Sequence, residues 1–153
     1  MDRKQALGKA MALCARQEYC ESDIRGKLKT WGMVQADSDY IIEELIRQKF
    51  IDDLRFTVAF VRDKIRLNQW GRIKIRYMLS ARKISGSMIR QALDGIDEVL
   101  YTKTLQDLLQ KKDKTLLRET DPRVRREKLI RFALAHGFEM REILAIVGQN
   151  VYE

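Results

Sequence analysis

The strongest constraint on this chain is a phrase that it repeats three times. When Gly32, Lys83 and Gly137 are set in register, apolar residues recur at fixed offsets. Eight residues upstream stand Ile24, Ile75 and Leu129, and four upstream stand Leu28, Leu79 and Ala133. One residue downstream come Met33, Ile84 and Phe138, and five before the first set lie Tyr19, Trp70 and Val124. Offsets of four and eight keep side chains on one face of a helix. The helices that follow align as Ile41 and Leu45, Ile89 and Leu93, Ile143 and Val147, if the first copy carries three extra loop residues. Units of roughly 45–50 residues that recur in this way mark stacked helical repeats.

The fold class expected is therefore all-α: three tandem three-helix, helix-turn-helix-like repeats over 1–50, 51–96 and 97–153, with nine helices and no strands. Arg3 to about Gln17 reads as the first helix, with Leu7, Ala10, Met11 and Cys14 facing inward. Ser22 is expected to cap the second, and Asp37-Ser38-Asp39 the third. Gly32 suits a left-handed cap. The middle copy starts on Asp52-Asp53 and breaks at Asn68-Gln69-Trp70-Gly71. The third has a long first helix, roughly Asp97 to Arg118, then Asp121-Pro122 as cap and first helical position.

Composition agrees. One proline in 153 residues and 34% charged residues favour helices, and 45% apolar content suffices for a core. No apolar run approaches the ~18 residues of a membrane span. In the start MDRKQALGKAMALCA, Lys9 interrupts the apolar run, so an amphipathic helix is expected there rather than a signal. Cys14 and Cys20, with the single histidine His136 far away, cannot make a paired zinc set, and two free thiols point to a reduced cytoplasm. No metal and no cofactor is expected.

The charge is localised. From Arg62 to Arg90 there are nine Lys or Arg against one acid, Asp63, a net +8 that equals the formal charge of the whole chain. Such a stretch calls for an anionic partner. The candidate contact residues are Arg62, Lys64, Arg66, Arg72, Lys74, Arg76, Arg82 and Lys83. At 100° per residue, Arg72, Arg76 and Lys83 fall within about 40° of one another, beside the Ile75/Leu79 stripe. Rows of arginine suit phosphates or carboxylates. A weaker second patch is Arg123, Arg125 and Arg126, with Lys128 and Arg131 nearby, diluted by Glu127. Trp70, at a repeat-equivalent position, is expected in the core rather than as a base-stacking ring.

Nothing points to catalysis. There is no P-loop and no GxSxG. The carboxylate pairs Asp52-Asp53 and Glu43-Glu44 are adjacent in sequence, so on a helix they do not face each other as acid and base. His136, just before Gly137, is expected to bond terminal carbonyls or lie exposed.

With these residues in view, the middle copy resembles the RecX family, bacterial regulators of the RecA recombinase. The resemblance is carried by Asp52-Asp53-x-Arg55-Phe56, Phe60-Val61, and Gly71-x-x-x-Ile75-x-x-x-Leu79-x-x-x-x-Ile84. Two departures stand out: Lys83 where the family usually has glycine, and Thr57 where a small apolar residue is usual. The resemblance implies repeats in an elongated, curved array and a monomer that lies in the groove of the RecA–single-stranded DNA filament. It implies restraint of ATP hydrolysis and strand exchange in recombination, DNA repair and the SOS response. It also implies direct DNA binding in some members. The competing expectation is a helical module that binds single- or double-stranded DNA without RecA, and a less favoured one is a scaffold with no DNA partner.

Overall fold

The computed structural model describes residues 1–148, and within them the chain is helical, with no strand. The elements are α1 (Arg3–Arg16), α2 (Glu21–Thr30), α3 (Gln35–Arg47), α4 (Asp53–Asn68), α5 (Arg72–Ala81), α6 (Gly86–Asp94), α7 (Glu98–Lys114), α8 (Pro122–Ala135) and α9 (Met140–Val147). The all-α helical-repeat class expected from periodicity is the class observed.

The register residues do the same job in all three copies. Gly32, Lys83 and Gly137 have φ of 81°, 60° and 90°. The residue after each reaches back over the helix end: Met33 N–H donates to the Leu28 carbonyl at 3.0 Å, Ile84 to Leu79 at 3.2 Å and Phe138 to Ala133 at 3.2 Å. This left-handed closure satisfies carbonyls that the helix end would otherwise orphan. Lys83 adopts it despite its Cβ, at a cost of about 1 kcal/mol relative to glycine. The other departure, Thr57, is fully buried, and its hydroxyl donates to the Asp53 carbonyl at 2.6 Å. A buried polar group is tolerated once it is hydrogen-bonded.

Start signals divide. Asp2 forms a capping box with Gln5, Asp97 accepts from Val99 and Leu100 N–H, and Asp121 accepts from Arg123 N–H with Pro122 in the first turn. Ser22 does not cap α2: the cap position is Cys20, and the Glu21 N–H is taken by the Asp53 carboxylate of α4 at 2.9 Å. The Asp37-Ser38-Asp39 cap is also absent, because α3 already starts at Gln35. The first copy has no longer loop. The helix after each left-handed residue begins three positions on, at Gln35, Gly86 and Met140, and the extra residues lengthen α3 instead. Ser38 therefore takes the place of Ile89 and Ile143, and it is buried as they are.

The Cα trace gathers into two compact units, Met1–Phe60 with Leu79–Ala92, and Val61–Met78 with Leu93–Glu153. The divisions fall inside α4 and α5, so the middle repeat contributes to both. The first unit is built round Ala6, Ala10, Ile24, Leu28, Ile41, Ile42 and Leu45 of α1–α3. In the second, Tyr101 and Phe138 are fully buried with ring centroids 5.2 Å apart, beside Leu105, Leu108 and Ile143. Each large side chain so buried contributes about 1.5–3 kcal/mol.

Candidate partner interface

In the second unit the start of α5 is set by backbone contact. Gly71 N–H donates to the His136 carbonyl at 2.8 Å and Ile73 N–H to the Gly137 carbonyl at 3.0 Å. The orphan amides of α5 are thus satisfied by the carbonyl end of α8. A Cβ on Gly71 would overlap the Gly137 carbonyl, and one on Gly137 would overlap Lys74. His136 adds an Nδ1–H bond to the Gln69 carbonyl at 3.0 Å. It bonds a carbonyl, as expected, but one of the loop before α5 rather than of its own helix.

This junction claims Arg72. Its amide donates to the Tyr101 hydroxyl at 2.9 Å, and that hydroxyl donates to Glu139 Oε1 at 2.5 Å. Its guanidinium reaches Glu139 Oε2 at 2.7 Å and Glu98 Oε1 at 2.5 Å and lies 4.0 Å above the Tyr101 ring. Burial opposes the Arg72 charge, but the two glutamates outweigh it and hold the guanidinium above its ordinary range. Burial, then the bond to Glu139, pushes the Tyr101 phenol up. Burial would raise the Glu139 carboxyl, yet Tyr101 and Arg72 together hold it below the ordinary glutamate value. The side chain of Arg72 is only 15% exposed. The expectation that it stands as an uncompensated charge is corrected: internal acids neutralise it.

The other basic residues of this unit stay at the surface. Lys64 and Lys74 hold their ammonium groups 5.0 and 4.5 Å from the centroid of the half-buried Trp70. Cation–π attraction thus brings α4 and α5 together there. Arg62 is exposed, with the neighbouring Asp63 at 3.2 Å, and such an exposed pair contributes little. Arg66 and Arg76 are exposed and make no ion pair among the described residues. They sit on α4 and α5, whose exposed surface also carries Ile73 at 49% and Tyr77 at 74% exposure.

The weaker patch is mostly spent inside the unit. Arg125 pairs with Asp113 at 2.7 Å, and Arg126 donates to the Gly148 carbonyl. Lys128 pairs with Glu119 at 3.2 Å, and Arg123 is an exposed residue.

Arg82 and Lys83 belong to the first unit. The Arg82 guanidinium lies 3.6 Å from Asp23 and 5.1 Å from the Phe60 ring centroid. Lys83 is past the end of α5, so helical projection does not place it beside Arg72 and Arg76. Both line a groove of about 710 Å³ with Arg25, Lys29, Ser22 and Asp53. Arg25 there is already paired with Glu21 at 2.9 Å and Asp39 at 2.8 Å.

Among the described residues no group of three or more His, Cys, Asp or Glu could hold a metal, and no helix is long and apolar enough to cross a membrane.

These features define an all-α helical-repeat protein with cations at its surface. The profile described as RecX, second three-helix domain, matches residues 52–93, which are the middle repeat. Regulatory protein RecX of Clostridium tetani is 27% identical over 95% of this chain and 67% of its own length. That of Prosthecochloris aestuarii is 28% identical over 93% and 91%. The crystal structure of RecX from Lactobacillus salivarius matches the fold with a TM-score of 0.83 at 20% identity, over 95% of this chain and 94% of that one. The chain belongs to the RecX family and has its regulatory character.

Proposed function

We propose that this chain docks on a RecA–single-stranded DNA filament and restrains its ATP hydrolysis and strand exchange, catalysing nothing itself and needing no cofactor. It acts as a cytoplasmic monomer in recombination, DNA repair and the SOS response. The observation that carries this is the pair Arg66 and Arg76, exposed and without an ion-pair partner among the described residues, on two of the three helices of the family-matched repeat, α4 and α5. Cations left in that state favour a polyanionic or acid-bearing partner. Arg62, Lys64 and Lys74 reinforce them in the second unit, and Lys83 and Arg82 offer a separate cationic groove in the first. Of the weaker patch, Arg123 is the exposed residue.

The test is RecA strand exchange and DNA-dependent ATP hydrolysis with this protein added at stoichiometric levels. Inhibition is expected, and its absence ends the proposal. The second reading is a DNA-binding module that works without RecA, favoured by the same arginines, since phosphates suit them as well as carboxylates do. It requires tight binding to naked DNA with a salt slope of roughly 0.7–0.9 per phosphate.

A further inference from the structure

One face of α5 is unexplained by the fold. At 100° per residue Ile73 and Tyr77 lie about 160° and 200° round the helix from the buried Ile75, so they point away from the core. They are four residues apart, one turn, and stand 49% and 74% exposed, with Arg76 beside them. The outer face of a surface helix is ordinarily polar. The repeats supply an internal control. In the register of Ile24, Ile75 and Leu129, the positions of Ile73 and Tyr77 are Ser22 and Gly26 in the first copy, and Glu127 and Arg131 in the third. The middle copy alone places an aliphatic and an aromatic side chain there.

We infer that Ile73, Arg76 and Tyr77 form a protein-docking contact for an apolar depression rimmed by carboxylates, so that this repeat grips the recombinase subunit rather than the DNA. This rests on the function proposed above and names the chemistry of its partner. Tyrosine and arginine are the residues enriched where interface energy concentrates, and the exposed Arg76, with no ion-pair partner among the described residues, sets the partner's sign. Ile73 separates a protein from a nucleic acid. A branched aliphatic chain offers no flat face to a base and no donor to a phosphate, whereas an apolar pocket accepts it. A stacking platform would need Tyr77 but would be indifferent to Ile73.

The experiment compares the whole protein with Ile73→Ser, Tyr77→Leu and Ile73→Ser/Tyr77→Ala, after thermal melting has shown the variants folded. Association is measured with RecA–single-stranded DNA filaments and with the same DNA bare. The double variant is expected to lose about tenfold or more on filaments and nothing on bare DNA. Ile73→Ser should lose part of that, and Tyr77→Leu less than the double change. Wild-type affinity of the double variant for filaments overturns the inference while leaving the filament-binding function intact. A parallel loss on bare DNA also overturns it and makes Tyr77 a stacking residue. If the unaltered protein binds no filament, the proposed function fails, and this inference fails with it.

Discussion

Gly71 and Gly137 meet backbone to backbone, through the Gly71 N–H bond to the carbonyl of His136 just before Gly137, with no room for a Cβ on either. The close approach lets the carbonyl end of α8 receive the amide end of α5, and it puts Arg72 within reach of Tyr101 and Glu139.

Gly137→Ala should cost more than about 2 kcal/mol, because it adds left-handed strain to overlap with the Lys74 backbone. Gly71→Ala should also destabilise, through overlap alone. Gly26→Ala, in α2 with nothing within 4 Å of the new Cβ, should stabilise by about 0.5–1 kcal/mol. Urea titration of the three variants checks the order.

Lys83→Gly should stabilise by up to about 1 kcal/mol, since glycine takes a φ of 60° without penalty. Gly32→Ala, at the equivalent cap with φ 81°, should lose stability by a similar amount. Equal and opposite shifts in denaturation midpoint would show that the two caps are interchangeable.

Glu139→Gln leaves the half-buried Arg72 with one glutamate and should cost about 1.5–3 kcal/mol at neutral pH. The sign with pH follows from the depressed folded carboxyl. Its stabilisation is present above the unfolded value of about 4.3 and is lost as pH falls through the lower folded value. Thermal melts between neutrality and acid should show a shallower acid loss in the variant.

Arg66→Glu/Arg76→Glu should weaken filament association without changing the melting temperature, because neither side chain makes an ion pair among the described residues. If both meet phosphates, the salt slope of binding should fall by about 1.4–1.8. Arg72→Glu should instead lower the melting temperature, since it faces two glutamates.

Cys20 should resist thiol reagents at pH 8 until the chain unfolds. It is fully buried, and burial pushes its thiol up to about 12. Cys14, partly exposed, should label first. A two-step labelling time course under native conditions checks this.

Periodicity made the helices and the shared register of Gly32, Lys83 and Gly137 legible, but that Lys83 closes its helix left-handed without a glycine is visible only in its φ of 60°. Cap signals misled where a partner came from elsewhere: Ser22 suited a cap, but Asp53 takes the first amide of α2. Ser38 lies between two aspartates, a pattern that imitates a cap, and its burial at an isoleucine position carries no local mark. The outward pair Ile73 and Tyr77 was visible as a helical spacing, but it gains meaning only once the core side of α5 is known.

By itself the sequence determined what is settled within a few turns of chain: helix, the recurring register of apolar residues and the concentration of positive charge between Arg62 and Arg90. Tertiary structure alone decided which of those charges are available. Arg72 is neutralised by Glu98 and Glu139, which lie 26 and 67 residues away, whereas Arg76 one turn on stays exposed. Charge depends on residue type and is counted in one dimension. Pairing depends on distances of a few ångströms, and those exist only after the helices have met.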